Sequence, residues 1–378
     1  MRRAAFIYDE ALSHHVLRED HVLRPTRLRY TYELLESYHA FDGQSSHLVP
    51  PRSATEAELI SFHTQEYVSA VRDFSEGRFS VDPAQFNFSD YGDNPIFPGM
   101  FQAASLAVGA SLVAAEMVAK GEVDAAFNAA GGFHHAAPGY ASGFCIFNDP
   151  VIAINYLLGL GLRVAYVDID AHHGDGVQNA FYGTDKVLTI SLHESGRFLF
   201  PGSGDVSEMG SGVGRGYAVN IPLAPFTGDD IYLRAFREVV PPLVSRFTPD
   251  ILVTQLGADS HYLDPLTHLR LTAQGFVQVV KELGVLCPHW VALGGGGYEM
   301  GAVPRSWTLA YGAILGRDFP DAILESYREK YGLRTLSDHQ PPAIDAASRL
   351  QAQAFAQASV AAVKRDVFPL HNLAASSQ

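Results

Sequence analysis

The chain has 378 residues, 47% of them hydrophobic, enough to bury a large core; the length suggests two or three domains but is also reached by single α/β domains. A formal net charge of −14 argues against a nucleic-acid partner. Two cysteines, Cys145 and Cys287, make no disulfide framework and fit a reducing compartment.

Residues 4–8 read as a first strand, and this apolar run before Asp9 and Glu10 is too short for a signal peptide. A His- and Arg-rich segment follows and ends at 23–27. Residues 28–38 have helical spacing, and 55–62 start a helix from an N-cap-like Thr55. Residues 79–98 are loop-like, carrying Asp82, Pro83, Asn87, Asp90, Gly92, Asp93, Asn94, Pro95 and Pro98. A loop of that length in a compact domain is usually functional or disordered. Residues 100–119 form an Ala-rich helix suited to pack on a sheet.

From there the pattern alternates. A strand at 123–128 runs into Ala-Gly-Gly-Phe-His134-His135, and a helix at 150–158 leads through a glycine turn to a strand at 164–169. The apolar stretch 151–167 is broken by Asn155, Gly159, Gly161 and Arg163, which excludes a membrane span there, so a cytoplasmic protein is expected. Strands follow at 186–193 and 217–223 on either side of a glycine-rich loop at 202–216, then a helix at 229–246 and a strand at 251–256 ending in Gly257-Ala258-Asp259. A helix at 272–286 precedes a strand at 290–293 that enters Gly294-Gly295-Gly296-Gly297-Tyr298. This rhythm predicts an α/β fold, one parallel sheet with helices on both faces.

The chemistry concentrates in residues 163–177, RVAYVDIDAHHGDGV, where Asp168, Asp170 and His172 alternate. Alternate side chains on a strand share one side, so two carboxylates and an imidazole are expected together. Burying them uncompensated is costly, and a divalent cation removes the cost; a salt-bridged strand end is the other reading. Four strands deliver polar groups at their carboxyl ends: His134 and His135, then Asp170 and His172, then Asp259, then Tyr298. Ligand crevices in open parallel sheets lie outside those ends, so the groups are expected to converge.

Asp170, His172 and Asp259 then make three ligands of a zinc-like ion, with a position left for water. Fe²⁺ suits the same donors. Such an ion acidifies water and polarises a carbonyl. His134 and His135 stand where a general base and acid are wanted. Asp168 and Asp175 are candidates to accept imidazole N–H bonds and fix tautomer and basicity, and Tyr298 offers a hydroxyl to an oxyanion. Neither G-x-x-x-x-G-K-[ST] nor G-x-G-x-x-G occurs, so nucleotide binding is not expected.

Five stretches, GGFHHAAPGYASGFCIFND (131–149), YVDIDAHHGDGV (166–177), SLHESGRFLFPGSGD (191–205), QLGAD (255–259) and LGGGGY (293–298), resemble in this order the motifs of the zinc-dependent histone deacetylase family. The class I branch and its bacterial acetoin-utilisation relatives are nearest, and the likeness covers about residues 5–330. The resemblance implies the arginase/deacetylase fold, with a catalytic domain placed at 1–335 and an extension at 336–378 holding one helix at 345–364. It implies Asp170, His172 and Asp259 as zinc ligands, His135 as general base and acid, His134 as its electrostatic partner and Tyr298 as carbonyl polariser. Phe144 and Phe200 would wall a narrow channel for an acyl-lysine stem, with Gly143, Gly296 and Leu266 also contacting substrate and Asp93 as the rim acid. Two structural potassium sites are implied, one near Asp168, Asp170, His172, Ser191 and Leu192, the other near Phe181, Thr184, Val187 and Tyr217. Arg27 resembles the arginine of an internal acetate-release cavity.

Phe133 stands where the family usually has Trp, and Leu266 occupies the rim position at which a polyamine deacetylase would carry an acid. An arginase-like binuclear site would need further acids where this chain has Gly174 and His261. The resemblance thus implies hydrolysis of Nε-acetyl-lysine in protein or peptide to lysine and acetate. The alternatives are a small-molecule amidohydrolase acting on acetylpolyamines and a non-catalytic acyl-lysine binder. A homo-oligomer is compatible with this class.

Overall fold

Strands buried on both faces must be apolar along their whole length, unlike the alternating strands of a half-solvated sheet. Most of the eight strands in the computed structural model, which describes residues 2–374, follow that pattern in their bodies, while the edge strand Ser46–Val49 is only partly buried. The eight are β1 (Ala4–Ile7), β2 (Ser46–Val49), β3 (Ala125–Asn128), β4 (Val164–Asp168), β5 (Val187–Glu194), β6 (Ala218–Leu223), β7 (Ile251–Gln255) and β8 (Trp290–Leu293). All neighbours are parallel, in the order β2-β1-β3-β8-β7-β4-β5-β6. The fold class expected from the sequence is the one observed.

The helices are α1 (Thr26–Ser37), α2 (Glu56–Leu59), α3 (Gln65–Ser75), α4 (Met100–Ala119), α5 (Asp149–Gly159), α6 (Asp175–Phe181), α7 (Asp229–Phe247), α8 (Ala273–Leu283), α9 (Ala302–Leu315), α10 (Glu325–Tyr331) and α11 (Ala346–Asp366). Strand alternation splits them between two faces. Ala165 and Val167 of β4 join the core of Leu34, Phe236, Phe276 and Trp307, from α1, α7, α8 and α9. Val164 and Tyr166 point the other way, into the core of Ala114, Ile154 and Val177, from α4, α5 and α6. A third cluster, with Tyr67, Phe74, Phe86 and Phe88, packs beneath the 79–98 loop, whose one regular turn is Pro83–Phe86. By length and composition α4 could cross a membrane, but it is a core helix, mostly buried and packed on α5 and β3.

Helix starts follow local chemistry. Thr55 makes a capping box with Glu58 as its sequence suggests, although α2 stops at Leu59. Thr64, Asn148, Thr272 and Asp345 cap α3, α5, α8 and α11 through their side chains. Three differences from the sequence reading bear on the site. The strand begun at Val164 ends at Asp168, so Asp170 and His172 lie beyond it and strand alternation does not place them. Asp175 opens α6, a helix absent from the sequence reading. Residues past 335 pack on the main core: Ser359 of α11 donates to Pro222 O at 2.8 Å, and Val360, Val363 and Phe368 are buried.

Candidate active site

Four adjacent strands, β3, β8, β7 and β4, end on one side of the sheet and feed the loops that build the site. At the end of β3, Asn128 Nδ2 donates to Ser111 Oγ at 2.8 Å. The buried Asp149 carboxylate accepts from that hydroxyl at 2.5 Å, from Gly132 N at 3.0 Å and from Phe133 N at 2.8 Å. Burial raises its pKa to about 6. This network aims the next two residues inward. His134 donates from Nδ1 to Asp168 Oδ2 at 2.7 Å, and His135 from Nδ1 to Asp175 Oδ1 at 2.7 Å. The two Nε2 atoms then meet at 3.0 Å.

These similar dyads titrate apart. Burial disfavours charge on His134, but Asp168 and then Asp170 outweigh it and raise its pKa to about 9. Burial, and after it the His134 charge, pushes His135 down to about 4. Near neutral pH the pair thus favours a charged His134 and a neutral His135. Asp168 is the more enclosed partner and also accepts from the Tyr166 hydroxyl at 2.6 Å.

Beyond β4, Asp170 Oδ1 caps the turn by accepting His172 N at 2.9 Å. His172 Nδ1 faces Asp170 Oδ1 at 3.1 Å and Asp259 Oδ2, from the loop after β7, at 2.9 Å. One N–H cannot serve both oxygens. The donor atoms of Asp170, His172 and Asp259 lie within 4.8 Å of one another, the one such group among the described residues. Burial and the neighbouring Asp170 charge raise the Asp259 pKa to about 8, so the pair retains a proton that a cation would displace. Two carboxylate oxygens and an imidazole nitrogen with surplus negative charge fit a divalent ion such as zinc.

The remaining oxygens are already committed. Asp170 Oδ2 accepts Gln255 Nε2 at 2.6 Å and Gly296 N at 2.7 Å, while Asp259 Oδ1 accepts Ala171 N at 2.8 Å. A Cβ at Gly296 would stand 2.1 Å from Asp259 Oδ2, so only glycine lets this loop close on the site. Tyr298 follows, its N–H donated to Asp264 Oδ2 at 2.9 Å. Arg27, buried in α1, braces the same loop through Gly295 O at 2.7 Å and Gly297 O at 2.6 Å.

The cleft is lined by His134, His135, Gly143, Phe144, Gly296 and Tyr298 together with Asp170 and His172. Phe144 stands edge-on to Tyr298 with centroids 5.6 Å apart, and Phe200 edge-on to His135 at 5.0 Å. Gly143 has φ +51°, and a Cβ there would fall 2.5 Å from His135 and 2.9 Å from Phe200. Beside the cleft lies a largely apolar pocket, with Leu23, Arg27, Phe133 and Phe144 shared between the two. Asp93 and Leu266 are farther out: Asp93 is exposed, its carbonyl facing His21 Nε2 at 3.3 Å, and Leu266 is half-buried, its N–H on Asp264 Oδ1 at 3.0 Å. Neither lines the cleft as described. Asn94, beside Asp93, ties that loop to the wall by accepting Phe144 N at 3.0 Å.

A description of the histone deacetylase domain matches residues 21–314. The chain belongs to the histone deacetylase family. The acetoin utilization protein AcuC of Bacillus subtilis (strain 168) is 42% identical over 325 residues, 84% of each chain, and that of Staphylococcus xylosus 39% identical over 328 residues, 84% of each. Among solved structures, a histone deacetylase homologue from Aquifex aeolicus superposes with a TM-score of 0.85 at 30% identity, covering 95% of this chain and all of that one. A histone deacetylase homologue in complex with SAHA superposes equally well at 31% identity.

Other residues the sequence singled out fall into place around this deacetylase framework. Asp168 and Ser191 are register partners across β4 and β5, with Leu192 next along. Phe181, Thr184, Val187 and Tyr217 gather at the amino ends of β5 and β6, where Tyr217 O already accepts Thr189 N at 2.8 Å. Asp149 and Gln255 lie within the stretches that carry the family resemblance, and Asp264 stands two residues before Leu266, but nothing in the sequence names the partners they hold.

Proposed function

We propose that this member of the histone deacetylase family hydrolyses Nε-acetyl-lysine in proteins or peptides with the help of a divalent metal ion, releasing lysine and acetate. The observation that carries this reading is the convergence of Asp170, His172 and Asp259 within 4.8 Å beside two histidines, each backed by its own carboxylate. A divalent ion, Zn²⁺ or Fe²⁺, held by those three side chains supplies Lewis-acid polarisation of the amide carbonyl and a more acidic water.

The chain's own residues do the rest. His135, neutral and oriented by Asp175, takes a proton from water on Nε2 and returns it to the departing lysine amine. His134, held cationic by Asp168, opposes a lasting charge on His135 and stabilises negative charge in front of it. Tyr298 donates its hydroxyl to the developing oxyanion, on a backbone fixed by Asp264 and Arg27. Phe144 and Phe200 hold the methylene stem, Gly143 and Gly296 give it room, and Asp93 and Leu266 meet the substrate backbone outside the channel. Potassium, if held at the two implied positions, would brace the chain around Asp168 and Tyr217.

The test is turnover of acetyl-lysine peptides against acetylpolyamines by the metal-loaded protein, with metal content measured alongside. Tyr298→Phe should lower peptide turnover by about 10²–10³-fold, the usual loss for one oxyanion donor. Unchanged turnover in that variant would remove the mechanism, and preference for acetylpolyamines would reassign the substrate.

A further inference from the structure

The tail beyond residue 335 reaches the cleft loops through one side chain. Asp338 lies between α10 and α11, outside the 21–314 span matched by the family description. It is 8% exposed. Its Oδ2 accepts His261 Nε2 at 2.9 Å and Ala273 N at 2.8 Å, and its Oδ1 accepts Arg305 Nη1 at 2.8 Å. Gln274 grips the Asp338 backbone from both sides, accepting its N–H at 2.8 Å and donating to its carbonyl at 2.8 Å.

His261 links this clamp to the cleft. Its Nε2–H is spent on Asp338, its Nδ1 accepts Leu263 N at 3.2 Å, and its carbonyl accepts Asp264 N at 2.8 Å. The turn so shaped carries Asp259 at one end and Asp264 at the other. Asp259 is one of the three converging metal donors, and Asp264 accepts the backbone N–H of Tyr298 at 2.9 Å. An acceptor that locks the middle of a short turn sets the direction of both its ends, because buried N–H groups must find partners and few other arrangements offer them.

We propose that Asp338 is a positioning residue of the active centre: through His261 it holds the 259–264 turn in the shape that lets Asp259 close the metal triad and Asp264 fix Tyr298. The tail is thereby part of the catalytic unit. The inference rests on the proposed metal-dependent reading.

The experiment compares full-length variants for zinc affinity by chelator competition, for kcat and KM on an acetyl-lysine peptide, and for Tm. Asp338→Asn keeps the shape but turns one acceptor into a donor facing Arg305 or His261. It should weaken zinc binding about tenfold, the lower range for residues supporting a ligand, and lower kcat similarly with KM within about twofold. Val363→Ala, in the buried face of α11, is the control; it should lower Tm while leaving zinc affinity and kcat within about twofold. If Asp338→Asn does not fold, Gln274→Ala, at an exposed position, loosens the same clamp and should weaken zinc binding about threefold. Wild-type zinc affinity and kcat in the clamp variant, or an equal loss of affinity in Val363→Ala, overturns the proposal. Failure of the unmodified protein to bind zinc overturns the metal-dependent reading instead, and the clamp falls with it.

Discussion

The bodies of β3, β8, β7 and β4 hold Ala, Val, Leu, Phe and Trp side chains with almost no exposure, while His134, His135, Asp168, Asp170, His172 and Asp259 stand at or just past their carboxyl ends, buried almost as deeply. Burial of the first set is favourable at about 25 cal/mol per Å² of apolar surface. Burial of the second is unfavourable unless each group is paired. Burial and the Asp170 charge hold the Asp259 carboxyl well above the usual carboxylate range, the mark of carboxylates crowded at one point. The same strands thus supply stability along their length and reactivity at one tip, and substitutions should separate the two.

The largest effect should come at the tip. His135→Ala removes the group proposed to carry the proton and should lower kcat by about 10²–10⁴-fold. The substitution also leaves Asp175 without its partner, which should cost about 1–3 kcal/mol of stability; a larger drop measured by urea titration would break the division. Next comes the body: Leu252→Ala, at a fully buried position in β7, should cost about 2–5 kcal/mol of stability. Its kcat per folded molecule should remain within about twofold, and a collapse of kcat would show that chemistry depends on packing far down the strand.

The smallest effect is a pH dependence arising outside the cleft. His63 accepts Asn148 N at 2.9 Å and faces Ala137 O at 3.1 Å, and burial pushes its pKa to about 4, as burial also does for His15 beside Phe97. The unfolded chain takes up a proton below its ordinary value of 6.5, whereas the native histidine stays neutral until about 4. Stability present above pH 6.5 is therefore lost as pH falls towards 4, by about 1.4 kcal/mol per pH unit for each histidine. Urea titrations at pH 7.5 and 5.5 should show the loss, and His63→Gln should make the profile shallower. An unchanged profile in His63→Gln would place the acid sensitivity elsewhere.

Much of this was legible in the sequence, though not always for the reason first given. Asp170 and His172 do meet, but in a turn after β4 has ended, where Asp170 caps the His172 N–H; alternation along a strand is not what joins them. The convergence of four strand ends held because it follows from parallel topology. Elements without period or length were missed. α9 is apolar on nearly every side, since it is buried by α1 and α8 and shows no amphipathic stripe. α6 has seven residues with Gly176 in its first turn, and β2 is a four-residue edge strand that is only partly buried. α3 was readable from Thr64 as a cap and Tyr67, Val68, Val71 and Phe74 as its inner face. Gln255, Asp264 and Asp338 were not, because they act by holding other residues, and single-sequence patterns do not encode such partners.

The position of β8 has a consequence for biosynthesis. It lies between β3 and β7, yet Trp290–Leu293 is translated long after Ala125–Asn128. Until that short strand leaves the ribosome, β2-β1-β3 and β7-β4-β5-β6 would lack the strand that joins them, leaving β3 and β7 each without a neighbour on that side. Such edges invite pairing with other chains. A keystone delivered so late would leave any product terminated before it with unpaired strand edges open to aggregation.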